Sequence, residues 1–145
     1  MQIAKDDLVD FDFLTDEQKK VFIRALIYLA KTDGKFDDNE LEYITAMADI
    51  HGISSEEIMK NQKSDNEEAI LSDLKMIDNR RVALEIIKEL CFLAHTDDVL
   101  SPEETVFIGK CGLAMGIELE KIEQISNWVI DRIIWLEQAK LIFED

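Results

Sequence analysis

Thr32-Asp33-Gly34-Lys35-Phe36-Asp37-Asp38-Asn39-Glu40 returns 64 positions later as Thr96-Asp97-Asp98-Val99-Leu100-Ser101-Pro102-Glu103-Glu104. Each copy follows an apolar run closed by Leu-Ala (Leu29-Ala30, Leu93-Ala94) and precedes one closed by Gly-Ile (Gly52-Ile53, Gly116-Ile117). The repeating unit is therefore a helix–loop–helix and not an isolated acidic patch. Shifting residues 24–58 by 64 aligns eleven identities, among them Leu26 with Leu90, Glu40 with Glu104 and Ile44 with Ile108, too many along one register for chance. Two amphipathic hairpins that each lack a lid can bury their apolar stripes against one another. The expected fold is all-α: a single domain over residues 1–145, built as a pseudo-two-fold bundle of about seven helices, with repeats at about 15–58 and 79–122.

Working outward, Thr15-Asp16-Glu17-Gln18 has the form of a capping box, a hydroxyl for a free backbone N–H and a Gln three residues on to reach back. A first helix starts there, with Phe22, Ala25, Leu26 and Leu29 on one stripe, and ends near Lys31 before Asp33-Gly34. Asp37 to Glu40 repeats the capping pattern ahead of Leu41, Ile44, Met47 and Ala48, and Gly52 stops that second helix. Ser54-Ser55-Glu56-Glu57 opens a short third helix, and Ser64-Asp65-Asn66-Glu67 a fourth with Ile70, Leu74 and Ile77 inward. A fifth follows Asp78-Asn79 and carries Ala83, Ile86, Ile87, Leu90 and Ala94 at helical spacing. Ser101-Pro102-Glu103-Glu104 starts a sixth, since Pro suits the first helical position and Glu104 completes the box.

A long last helix is expected over about 118–142. Its stretch Trp128-Val129-Ile130-Asp131-Arg132-Ile133-Ile134-Trp135-Leu136 is apolar around most of its circumference, so it is expected either at the centre of the bundle or against a partner, a protein or a second copy. Residues 1–14 interleave Leu8, Val9, Phe11, Phe13 and Leu14 with Asp and read as an arm laid over the bundle.

The chain carries 32 acidic and 16 basic residues, a formal charge of −16, which makes nucleic acid and anionic membrane poor partners and favours cations or basic protein surfaces. The start, Met1-Gln2-Ile3-Ala4-Lys5-Asp6-Asp7, lacks the basic and apolar regions of a secretory leader, so a cytoplasmic location is expected. The run Ala25 to Ala30 is six residues long before Lys31, against the ~18 needed to span a bilayer, so no membrane insertion is expected. Cys91 and Cys111 stand where the first copy has Ile27 and Met47, and are read as reduced core thiols.

The residues that carry chemistry are Asp33, Asp37 and Glu40 in one loop and Asp97, Ser101 and Glu104 in the other. They have two readings. Each set punctuates a helix start, with caps worth ~0.5–2 kcal/mol apiece. Alternatively, Asp33, Asp37, Glu40, Asp97 and Glu104 hold a divalent cation such as Ca²⁺ or Mg²⁺, since hard cations prefer several carboxylate oxygens and capping does not require Asp33 or Asp97. An EF-hand does not fit, because placing Gly34 at the invariant glycine puts Leu29 and Lys31 where the first and third carboxylates belong. His51 and His95 are read as surface groups. There is no phosphate-cradling glycine loop and no His–carboxylate–nucleophile set at motif spacing, so no enzyme activity is expected and no certain cofactor.

Over residues 15–140 the pattern of an Asp-Gly loop, an acidic or Ser cap and a Glu resembles the TerB-like family, the tellurite-resistance TerB proteins and related domains. Thr32 and Thr96 replace the family's usual Ala, and Asp98 its second Gly. The resemblance implies a seven-helix fold, a divalent-cation site near the acidic loops and a link to stress responses.

Overall fold

The computed structural model describes residues 15–32, 38–54, 66–95 and 101–144. The described residues form six α-helices and no strand: α1 Asp16–Lys31, α2 Asp38–Ile50, α3 Glu67–Leu74, α4 Arg80–Ala94, α5 Pro102–Ala114 and α6 Leu119–Ile142. The arm at 1–14 and the short helix expected after Ser54 fall outside them.

Local chemistry sets the ends. Thr15 and Gln18 form the expected reciprocal box, Gln18 N–H donating to Thr15 Oγ1 at 3.1 Å and Thr15 N–H to Gln18 Oε1 at 2.9 Å. α3 starts two residues later than a Ser64–Glu67 box would place it, because Asn66 is the cap, its side-chain oxygen accepting from Ala69 N–H at 2.8 Å. Asn79 does the same for α4 at Val82 N–H. α2 and α5 end alike: Gly52 and Gly116 take φ of 70° and 79°, which lets Ile53 N–H reach back to the Ala48 carbonyl and Ile117 N–H to that of Gly112, both at 2.8 Å. That left-handed turn with a 6→1 bond is the closure that favours glycine.

The helix bounds follow the same offset as the residues. α2 and α5 begin and end 64 positions apart, and so do the starts of α1 and α4. Matched positions also share burial, as with Leu26 and Leu90, or Leu29 and Leu93, all closed to solvent.

α1 and α4 form the centre. α1 buries Val21, Ile23 and Ile27 in addition to the predicted stripe of Phe22, Ala25, Leu26 and Leu29, so its buried face is wider than one stripe, leaving Arg24 on the polar side, and it packs against α2, α3, α4 and α5. α4 buries ten residues between α1, α5 and α6. The last helix is therefore not the central one: α6 buries only Ile122 and Val129 and lies on the flank. It runs parallel to α4, because contacts advance along both together, from Arg80 with Glu118 to Phe92 with Trp128. Gly112 allows the close approach of α5, since a methyl there would meet Ile122 Cγ1 at 2.8 Å; the matched residue in the other half is Ala48.

Both cysteines are free and buried, as expected. Burial pushes the Cys91 thiol up to about 12 against a partly offsetting hydrogen bond with Ser126, and pushes Cys111 up as well, helped by the charge of Glu67. A thiol without thiolate is inert. At pH 8 a disulfide reagent is expected to modify both only at the rate of global opening, with both released together in denaturant; stoichiometric labelling of the folded chain within seconds would contradict the packing.

Candidate functional site

Of the residues assigned to the acidic loops, Asp33, Asp37 and Asp97 lie outside the described residues, while Glu40, Ser101 and Glu104 lie within. Glu40 and Glu104 are third residues of their helices and both are only 3% exposed. Glu104 is engaged as a cap: its Oε1 accepts from Ser101 N–H at 3.1 Å, and its own N–H donates to Ser101 Oγ at 3.1 Å. A carboxylate near a helix N-terminus is favoured there by the free N–H groups and the helix dipole, so its position needs no ion. Among the described residues no group of three or more His, Cys, Asp or Glu could hold a metal, so those residues by themselves do not assemble a cation site.

His51 and His95 are half-buried instead of lying at the surface. Burial, aided by the charge of Lys19, pushes the His51 imidazole below its usual range, and burial alone does so for His95. Proximity to packed helix ends, which residue type does not reveal, is the cause.

One polar cluster was not legible in the spacing of motifs. Glu89 of α4 is 2% exposed and accepts a hydrogen bond from the Tyr43 hydroxyl of α2, with Lys88 Nζ 3.7 Å from its other oxygen. A signal existed, however. Glu89 matches Ala25 and Tyr43 matches Phe107 across the 64-residue offset, so this polar pair between the two copies has apolar residues at both matched positions. Phe107 packs instead against Tyr28, ring centroids 4.8 Å apart. The pair is sealed in the core and binds helices together; nothing reaches it from solvent.

The accessible feature is α6. Phe92 at the end of α4 meets the Trp128 ring edge-on at 6.3 Å, and Arg132 lies over Phe92 at 5.8 Å from the centroid. Beyond Val129 no described residue of α6 is buried. Trp128 is 50% exposed, Trp135 67% and Ile142 71%, and their spacing of seven puts them on one face. Single exposed apolar residues are ordinary, whereas these three recur along one face of one helix. At the base of α6, Glu118 gives no cap bond and instead pairs with Arg80 at 2.8 Å, which holds its carboxyl below the usual range and ties α6 to α4.

The fold and this face define an acidic all-helical protein, and among the described residues no helix is long and apolar enough to cross a membrane. No protein-family model, curated protein or solved structure matches the chain.

Proposed function

We propose that this chain is a non-enzymatic, acidic helical binding module of the TerB-like kind, working in the cytoplasm, and that it acts through the exposed face of α6. The observation that carries this reading is the row Trp128, Trp135 and Ile142, large apolar groups left to water on a helix whose other side is anchored. The resemblance to stress and tellurite-resistance domains rests on the two acidic loops. The finer architecture proposed with it is a pseudo-two-fold bundle of about seven helices, and the shared helix bounds at the 64-residue offset support it. The absence of catalysis is proposed on the same grounds: the thiols are buried and the Tyr43–Glu89 pair is enclosed. A photo-crosslinking residue at position 135, in cells that make the protein, is expected to yield one defined adduct, and the same residue at exposed Met76 none. No adduct from 135 would overturn the interaction reading.

A second reading keeps the divalent cation at Asp33, Asp37, Glu40, Asp97 and Glu104. It is favoured by the burial of Glu40 and Glu104 at matching positions beside both loops. A cation binding only the folded chain at ~100 times its Kd adds about 2.7 kcal/mol, which raises the melting temperature of a domain this size by roughly 5–10 °C. Melting in chelator is compared with melting in Ca²⁺, Mg²⁺, Mn²⁺ and Zn²⁺, then repeated with Glu40→Gln and Glu104→Gln, which keep the box while removing charge. A shift lost in both variants supports the cation module. With no shift in any ion, the carboxylates are caps alone.

A further inference from the structure

We propose that the exposed face of α6 is a self-association surface, on which two copies of this chain pair their α6 helices antiparallel about a two-fold axis at Trp135. The proposal rests on the interaction reading of α6 and names the partner.

The geometry begins with the uncovered side of α6. Phe92 and Arg132 bring the end of α4 beside residues 128–132, Ile133 still packs against the core, and beyond it Leu136 and Ala139 are half-buried while Trp135 and Ile142 stay exposed. The exposed row runs along that uncovered side, from Trp128 beside Phe92 to Ile142 at the helix end. An axis through Trp135 sets that residue against its own copy, and sets Trp128, seven residues before, against Ile142, seven after. The apolar row is thus self-complementary in the antiparallel sense that a two-fold interface demands.

Charge selects the partner. Between 128 and 143 the ionic residues are Asp131, Arg132, Glu137 and Lys140, which cancel, whereas the whole chain carries −16. A basic partner would find no anionic attraction on this strip, and an acidic body can meet its own copy there without local repulsion. Charge also selects the direction. Parallel pairing would set two strongly acidic bodies side by side. Antiparallel pairing at Trp135 places them toward opposite ends, with the two Val129 positions, the last fully buried residues of α6, roughly 18 Å apart along the axis.

The test uses the full chain. Sedimentation and light scattering are expected to show a concentration-dependent species of twice 16.7 kDa that tightens as salt rises, because screening relieves the residual repulsion between bodies. Trp135→Glu is expected to abolish it with helical content unchanged, since the side chain is exposed; Val106→Glu, at an exposed apolar site on α5, is expected to leave it intact. Cys91 and Cys111 are buried, so a spin label on Leu119→Cys reports a single site. The two labels are expected roughly 50 Å apart in the antiparallel pair and about 10 Å apart in a parallel one. A monomer at every concentration overturns the proposal, as do labels at the short distance. A monomer whose tryptophan emission shifts red only when residues 1–14 are deleted assigns the face to the chain's own arm. A monomer that still gives an adduct from position 135 with a different protein removes self-pairing and leaves the interaction reading standing, so the two failures separate.

Discussion

Phe22→Ala is expected to cost about 3–5 kcal/mol and to lower the melting temperature by roughly 10–20 °C, the largest effect of any single truncation considered for this protein. Phe22 is closed to solvent in the middle of α1, the helix that packs against four others, so neighbouring side chains cannot collapse into the space without disturbing several contacts at once. The loss is then a transfer term plus a cavity term. Denaturant titration at unchanged slope is the measurement. Phe143→Ala, where the ring is 74% exposed, serves as the comparison and is expected within about 0.5 kcal/mol of the parent. Equal losses at the two sites would mean that α1 is not the centre of the core.

Tyr43→Phe is expected to cost about 1–3 kcal/mol, because Glu89 then keeps its burial but loses the hydroxyl that donates to it. Glu89→Met leaves the Tyr43 hydroxyl without its acceptor and is expected to cost a similar amount. The double variant is expected to recover most of the loss, since a buried polar pair replaced by apolar groups of like volume is often neutral or better. The matched positions across the 64-residue offset, Phe107 and Ala25, are already apolar. A double-mutant cycle reads the coupling directly, and a value near zero would show that the two side chains do not depend on each other.

The acidic residues illustrate how far a candidate site could be read from the chain. The role of Glu104 as the far end of a capping box was legible, because Ser101 and Pro102 stand beside it and the hydrogen bonds span three residues. Whether Asp33, Asp37 and Asp97 approach it is a question about side chains separated by up to 71 positions, and spacing is silent on that. The Tyr43–Glu89 pair was hidden for the same reason: its partners are 46 residues apart, and a Glu on a helix is ordinarily a solvated group.

By itself the sequence determined what short-range chemistry controls. Caps at Thr15, Asn79 and Ser101 act on N–H groups one turn away, and glycines at 52 and 116 permit a φ that other residues resist. Apolar spacing then fixes which stripe of each helix turns inward. The tertiary structure alone decided the ranking among helices. α6 is as apolar in its middle as α1, yet α1 is enclosed and α6 is left on the flank, because burial depends on how many neighbours reach a surface and not on the surface itself. It also decided that one side of α6 stays uncovered, which leaves Trp128 50% and Trp135 67% exposed on a strip whose charges cancel.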